Sequence, residues 1–162
     1  MRYFSTNRSS PDVSFREAVL NGQPDDGGLY FPSEMPRLRD GLIDSLADLG
    51  NGEIASEVIR PFIGGEIDEY SLRQICRETV DFDFPLVPIT ERVSALELFH
   101  GPTLAFKDVG ARFMSRCLGY FSEKTNEKTI VIVATSGDTG GAVAAGFHGV
   151  ERPGPDLVIH AR

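Results

Sequence analysis

A chain of 162 residues, 41% hydrophobic and 25% charged, has enough apolar surface for a packed core and lacks the composition of a disordered polymer. Lys and Arg number 16 against 24 Asp and Glu, a formal charge of -8, which excludes a non-specific polyanion binder and argues against nucleic acid as the main partner. Two cysteines without CxxC spacing and three scattered histidines argue against a metal site, and no apolar run approaches the ~18 residues of a membrane helix. Buried free thiols and a cytoplasmic location are expected, with the N-terminus read as mature sequence.

In chain order, Ser14-Phe15-Arg16-Glu17 has the spacing of a capping box, in which hydroxyl and carboxylate each take a free backbone N–H. A short helix starts there and ends at Asn21-Gly22. Asp25-Asp26-Gly27-Gly28 is a turn, and Leu29-Tyr30-Phe31 stops at Pro32. From about 40 to 80 the apolar residues recur at helical spacing. One set is Leu42, Ile43, Leu46 and Leu49, and a second is Ile54, Val58, Ile59, Phe62 and Ile63. After the Gly64-Gly65 break, Leu72, Ile75 and Cys76 face inward. No chemical motif falls in this stretch. Residues 1–84 are expected to form a mostly helical cap region.

After Pro85 and Pro88 the pattern changes. Residues 94–99 read as a strand, His100-Gly101-Pro102-Thr103 as a turn, and 106–121 as an amphipathic helix. Its apolar positions are Phe106, Val109, Phe113, Cys117, Tyr120 and Phe121. A polar loop at 123–128 leads into 129–135, a β-branched run without polar alternation, as expected of a central parallel strand buried on both faces. Residues 140–147 form a small-residue helix closed by Gly149, and Leu157-Val158-Ile159 is a further short strand. The alternation predicts an α/β fold, with 85–162 as its second region.

Two loops carry chemistry. Thr135-Ser136-Gly137-Asp138-Thr139-Gly140-Gly141 is a glycine-rich turn feeding a helix N-terminus, where free N–H groups and the positive end of the dipole suit a carboxylate or phosphate. No Gly-Lys-Ser/Thr follows, so it is not a P-loop, and it is not GxGxxG. Asp138 would repel an anion; it either caps the helix or accepts a proton from a ligand hydroxyl. A plain tight turn is the alternative reading. In the second loop, Lys107 sits in the apolar segment Leu104-Ala105-Phe106-Lys107 at a helix start. Burial and the helix dipole there would both disfavour its ammonium, and an uncharged amine can condense with a carbonyl. The alternative is a surface lysine paired with Asp108.

These stretches resemble the threonine synthase family. The carrying residues are Leu96-Glu97-Leu98-Phe99-His100-Gly101-Pro102-Thr103-Leu104-Ala105-Phe106-Lys107-Asp108 and Ala134-Thr135-Ser136-Gly137-Asp138-Thr139-Gly140. Tyr3-x-Ser5-Thr6, Val13-Ser14-Phe15 and Gly28-Leu29-Tyr30-Phe31-Pro32 are similar to the bacterial and fungal branch. The resemblance covers essentially 2–150. It implies a pyridoxal 5′-phosphate (PLP) enzyme of threonine biosynthesis, a carbon–oxygen lyase converting O-phospho-L-homoserine and water to L-threonine and phosphate. It implies that Lys107 holds the cofactor and shuttles protons, and that Asp138 lies near the cofactor's 3′-oxygen. Ser136, Gly137, Thr139 and Gly140 would bind the substrate's α-carboxylate, and Thr103 with its turn would line the phosphate pocket. The implied architecture is part of a tryptophan-synthase-β-like parallel-sheet fold.

The family is more than twice as long as this chain, and the resemblance weakens after Val150. The glycine loop for the cofactor phosphate and the partner of its pyridine nitrogen are not in the sequence. The resemblance therefore implies an N-terminal fragment lacking the C-terminal half of its fold, with half an active site and no full turnover of its own. A related PLP-dependent phospholyase or β-eliminating enzyme, and a non-catalytic fragment acting as a binding domain, are the rival readings.

Overall fold

Short extended segments flank the capping box and pair with one another. In the computed structural model, Arg2–Ser5 (β1) lies between Val13–Ser14 (β2) and Tyr30–Pro32 (β3), both antiparallel to it, with Tyr3 opposite Val13 and Phe4 opposite Phe31. The structure describes residues 1–122, 130–135, 137–148 and 150, and the backbone of 156–161. The chain divides into two compact units, Met1–Arg77 and Glu78–Arg162.

In the first unit the capping box forms as expected at helix α1 (Phe15–Asn21). The Glu17 N–H donates to Ser14 Oγ at 3.2 Å, and the Ser14 N–H donates to Glu17 Oε2 at 2.8 Å. The two remaining first-turn amides, Phe15 and Arg16, donate to the two oxygens of Glu66 at 3.0 Å each, so the helix start is fully satisfied. That long-range cap also ties α1 to the loop after the third helix. The turn at 25–28 closes on one carboxylate. Asp26 accepts from the Ser5 hydroxyl at 2.6 Å and from the amides of Ser9 and Gly28 at 2.9 and 3.0 Å. These bonds, that from Ser5 foremost, hold Asp26 down at about 2. A side chain at Gly28 would run into Ser5 Oγ and the Asn7 amide, so that turn needs glycine for space.

The helical stretch resolves into Leu42–Ser45 (α2), a 3-10 turn at Leu46–Asp48, Asn51–Ile63 (α3) and Glu69–Thr79 (α4). Gly64, at φ 66, ends α3 in the left-handed conformation. Leu42, Ile63, Ile67, Leu72, Ile75 and Cys76 are buried. Val58, expected inward, is exposed, because the buried stripe of α3 runs through Ser56 and Ile63. The Ser56 hydroxyl is satisfied by the Gly52 carbonyl at 2.7 Å. The sheet β2-β1-β3 was absent from the helical reading of 1–84: its strands are two to four residues long, too short to show a period.

In the second unit the strand expected at 94–99 is Val93–Leu96 (β5), an antiparallel hairpin partner of Leu86–Thr90 (β4). This corrects the expected β–α–β start. The prolines at 85 and 88 hid β4, since proline reads as a strand breaker yet fits an edge or an irregular register, which this ladder has between Pro88 and Thr90. Lys107–Ser122 (α5) matches the expected amphipathic helix, but Phe106 precedes it and is exposed. Its buried face runs through Asp108, Ala111, Ser115, Leu118 and Ser122, spaced by three and four.

Ile130–Thr135 (β6), Asp138–Phe147 (α6) and Asp156–Ala161 (β7) form a β–α–β unit, with β6 parallel to β7 and Val131 opposite Leu157. The expectation that β6 is buried on both faces is corrected. Ile130 and Ile132 are 62% and 74% exposed, whereas Val131, Val133 and Thr135 are half-buried. A two-stranded sheet backed by one helix covers one face and leaves the other bare among the described residues. The expected loops at 123–128 and 151–155 and the helix-closing Gly149 lie outside the described residues.

Candidate active site

Helices α5 and α6 pack closely because two positions permit it. A Cβ at Gly146 would come within 3.0 Å of the Ala111 backbone, and the buried Ser115 hydroxyl bonds to the Gly146 carbonyl at 2.6 Å. Ser115 lies eight residues after Lys107 and Gly146 eight after Asp138, and the first residues of the two helices are themselves in contact, so the helices run side by side in the same direction. Lys107 and Asp138 mark the shared end of the pair.

Lys107 Nζ donates to Asp138 Oδ2 at 2.9 Å across 31 residues of sequence. The lysine side chain is 31% exposed and that of Asp138 58%. Nζ also sits 4.4 Å from the centroid of the Phe106 ring, a favourable place for a cation. The dry, apolar setting expected for Lys107 is thus replaced by a partly open ion pair. Neither expected alternative for Lys107 is what forms: its carboxylate partner is Asp138, not Asp108. Asp138 is the first residue of α6 and not its N-cap. Gly137 holds the N-cap position, and the hydrogen bond from Lys107 holds the Asp138 carboxyl below the usual range.

The glycine turn itself is tight. The Gly137 N–H donates to Thr135 Oγ1 at 3.3 Å, and the buried Gly140 donates its N–H to the Gly137 carbonyl at 3.1 Å. Thr139 is half-buried beside them. Ser136 lies outside the described residues.

Asp108 is the group the sequence reading undervalued. It is 1% exposed and takes the Thr103 N–H at 3.0 Å and the Thr103 hydroxyl at 2.5 Å. A Cβ at Gly101 would lie 2.5 Å from Asp108 Oδ2, so the loop can wrap the carboxylate only with glycine there. Leu104 pays for this wrapping with a left-handed φ of 58 and a largely exposed side chain. The loop that delivers Lys107 is therefore fastened from beneath by the next residue. The Thr103 hydroxyl proton is already committed to that fastening. A Thr at i and Asp at i+5 around a Gly-Pro turn was the available signal, but it marks no regular element.

Residues 2–80 match the family described as threonine synthase N terminus. Beyond them the likeness continues. The chain is 40% identical over 151 residues to threonine synthase of Pseudomonas aeruginosa, covering 90% of this chain and 32% of the relative. It is 39% identical over 152 residues to threonine synthase of Serratia marcescens, covering 93% of this chain and 35% of the relative. In three dimensions it is similar to a crystal structure of PLP-bound threonine synthase from Brucella melitensis, with a TM-score of 0.90, 39% identity, and coverage of 98% of this chain and 35% of the other. The chain spans about a third of the length of the threonine synthases it matches. Its mixed helix and sheet content fits the N-terminal part of those structures.

Proposed function

We propose that this chain is the lysine-bearing part of a threonine synthase. The reaction would be that of a PLP-dependent carbon–oxygen lyase, turning O-phospho-L-homoserine and water into L-threonine and phosphate in the cytoplasm. The observation that carries the reading is the meeting of Lys107 and Asp138 at the paired starts of α5 and α6. It supports the use of both loops that the family resemblance singled out. The rest of a tryptophan-synthase-β-like fold would supply the missing part of the site.

PLP offers an aldehyde, a phosphate and an aromatic ring, and the residues present fit its aldehyde end. Lys107 is a reachable primary amine held in place by a carboxylate beside a glycine turn. When bound, PLP supplies an electron sink for negative charge developing at the substrate's α-carbon. Lys107 Nζ would hold the cofactor and then carry protons to and from the substrate carbons. Asp138 would orient that amine and lie near the cofactor's 3′-oxygen. Ser136, Gly137, Thr139 and Gly140 would take the α-carboxylate through N–H and hydroxyl donors at the positive end of α6. Thr103 would contribute its turn to the phosphate pocket. In the whole protein, turnover would need the part of the fold that this chain does not share with its relatives.

The sequence has three lysines, Lys107, Lys124 and Lys128, which makes a labelling test decisive. Incubation with PLP, borohydride reduction and peptide mass mapping are expected to mark Lys107 above the other two, and Lys107→Ala to abolish that selective mark. Equal marking of all three lysines would refute the site. For the reaction itself, phosphate release from O-phosphohomoserine by the complete protein is expected to vanish in Lys107→Ala.

A further inference from the structure

The first unit contains a cavity of about 170 Å3 with no part in the reading above. Four arginines line it: Arg39 ahead of α2, Arg60 near the end of α3, and Arg73 and Arg77 one turn apart on α4. Two carboxylates fix three of them. Glu57 takes Arg39 Nε and Arg60 Nη1 at 2.9 Å each, and Glu69 takes Arg60 Nη2 at 2.6 Å and Arg73 Nε at 2.7 Å. Burial pushes Glu57 up, but the hydrogen bond from Arg39 and the charge of Arg60 outweigh it and hold Glu57 below its ordinary range. The hydrogen bond from Arg73 does the same for Glu69. Both carboxylates are therefore fixed anchors at neutral pH.

These anchors occupy both Nη groups of Arg60 but leave edges of Arg39 and Arg73 open. Arg39 keeps Nη1, Arg73 keeps both Nη groups, and Arg77 has no hydrogen bond or ion pair among the described residues. The stem of Arg77 is nonetheless placed. A Cβ at Gly52 would lie 2.7 Å from Arg77 Cγ and 3.0 Å from its Cα, so α4 rests directly on the first turn of α3. That turn brings the positive end of a 13-residue helix to the cavity wall. Glu53, the third acid present, is turned onto the Gly50 amide at 3.0 Å. Four guanidiniums thus face three carboxylates that are already engaged.

We propose that this pocket binds a phosphate-like oxyanion, held by the open guanidinium edges of Arg39, Arg73 and Arg77. Planar donor forks match tetrahedral oxyanions, and the glutamates pre-set the forks so that little side-chain freedom is lost on binding. The proposal does not rest on the catalytic reading, because every residue it uses lies in Met1–Arg77.

The test is calorimetric titration of the chain with inorganic phosphate against chloride at matched ionic strength. Saturable one-site binding of phosphate and none of chloride is expected. Arg77→Ala is expected to weaken phosphate by about tenfold or more, a loss typical of a charge-assisted pair. Arg92→Ala, the same charge change in the second unit, is expected to leave it unchanged. Arg77 has no hydrogen bond or ion pair to lose among the described residues, so melting in chloride should shift only by the small packing loss of its stem over Gly52. Should that variant unfold, Arg77→Gln keeps the stem over Gly52 and carries the same expectation. A non-saturating response, an equal response to chloride, or wild-type affinity in the Arg77 variant overturns the proposal.

Discussion

The two units satisfy their polar and apolar groups in opposite ways. In Met1–Arg77, carboxylates reach across the sequence to close backbone amides: Asp26 gathers the 5–9 and 28 segments, and Glu66 finishes the start of α1. Leu42, Ile63, Leu72, Ile75 and Cys76 of its helices are buried. In Glu78–Arg162 the sheets carry the contrast. Leu86, Ile89, Val93 and Leu96 of the hairpin and Ile130 and Ile132 of β6 are all more than half exposed. Among the described residues of that unit, dense packing falls on the α5–α6 pair, around Cys117, Phe121 and Ala142. The difference teaches that the second unit invests its order in one helix pair, and that pair is what sets Lys107 against Asp138.

The comparison can be broken most forcefully at Phe121, which is 1% exposed. Phe121→Ala is expected to cost about 3–5 kcal/mol by urea denaturation of the second unit. A loss below about 1 kcal/mol would mean that the helix pair is not its core. Next comes the fastening of the lysine loop. Asp108→Ala strips the Thr103 amide and hydroxyl of their acceptor, which is expected to cost about 1–3 kcal/mol. Amide exchange at Thr103 should quicken while that at Gly146 stays slow, and equal protection at Thr103 would show the loop is held by something else.

The finest distinction is a pH profile of the first unit. Asp26 is about 2 in the folded chain against an ordinary 3.8, so its contribution is complete above about 4 and is lost as pH falls toward 2. The urea midpoint is expected to decline through that window, and Asp26→Asn should flatten the decline. An unchanged slope would assign the acid sensitivity to other carboxylates.

Legibility in the sequence followed the range of the interaction. Ser14 and Glu17 declared their helix because a capping box is an i, i+3 relation, visible in four letters. The α4 stripe of Leu72, Ile75 and Cys76 was equally readable, since helical period alone places those side chains together. Strand β4 was missed because its prolines obey a rule about position in a sheet, which the local string does not contain. Burial of both faces of β6 was expected from its β-branched run, but burial depends on what lies on each face.

The same division holds for function. The letters alone determined that one lysine begins a helix and that a glycine-rich turn begins another, because helix starts and tight turns are written in neighbouring residues. Only the folded chain decided that Lys107 meets Asp138, that Asp108 belongs to Thr103, and that Arg77 lies open beside Gly52. Each of those pairings is set by how closely a neighbour can approach a glycine: the backbone of Ala111 at Gly146, the carboxylate of Asp108 at Gly101 and the stem and backbone of Arg77 at Gly52. A missing side chain permits such an approach, but only packing over the whole unit determines which surface arrives there.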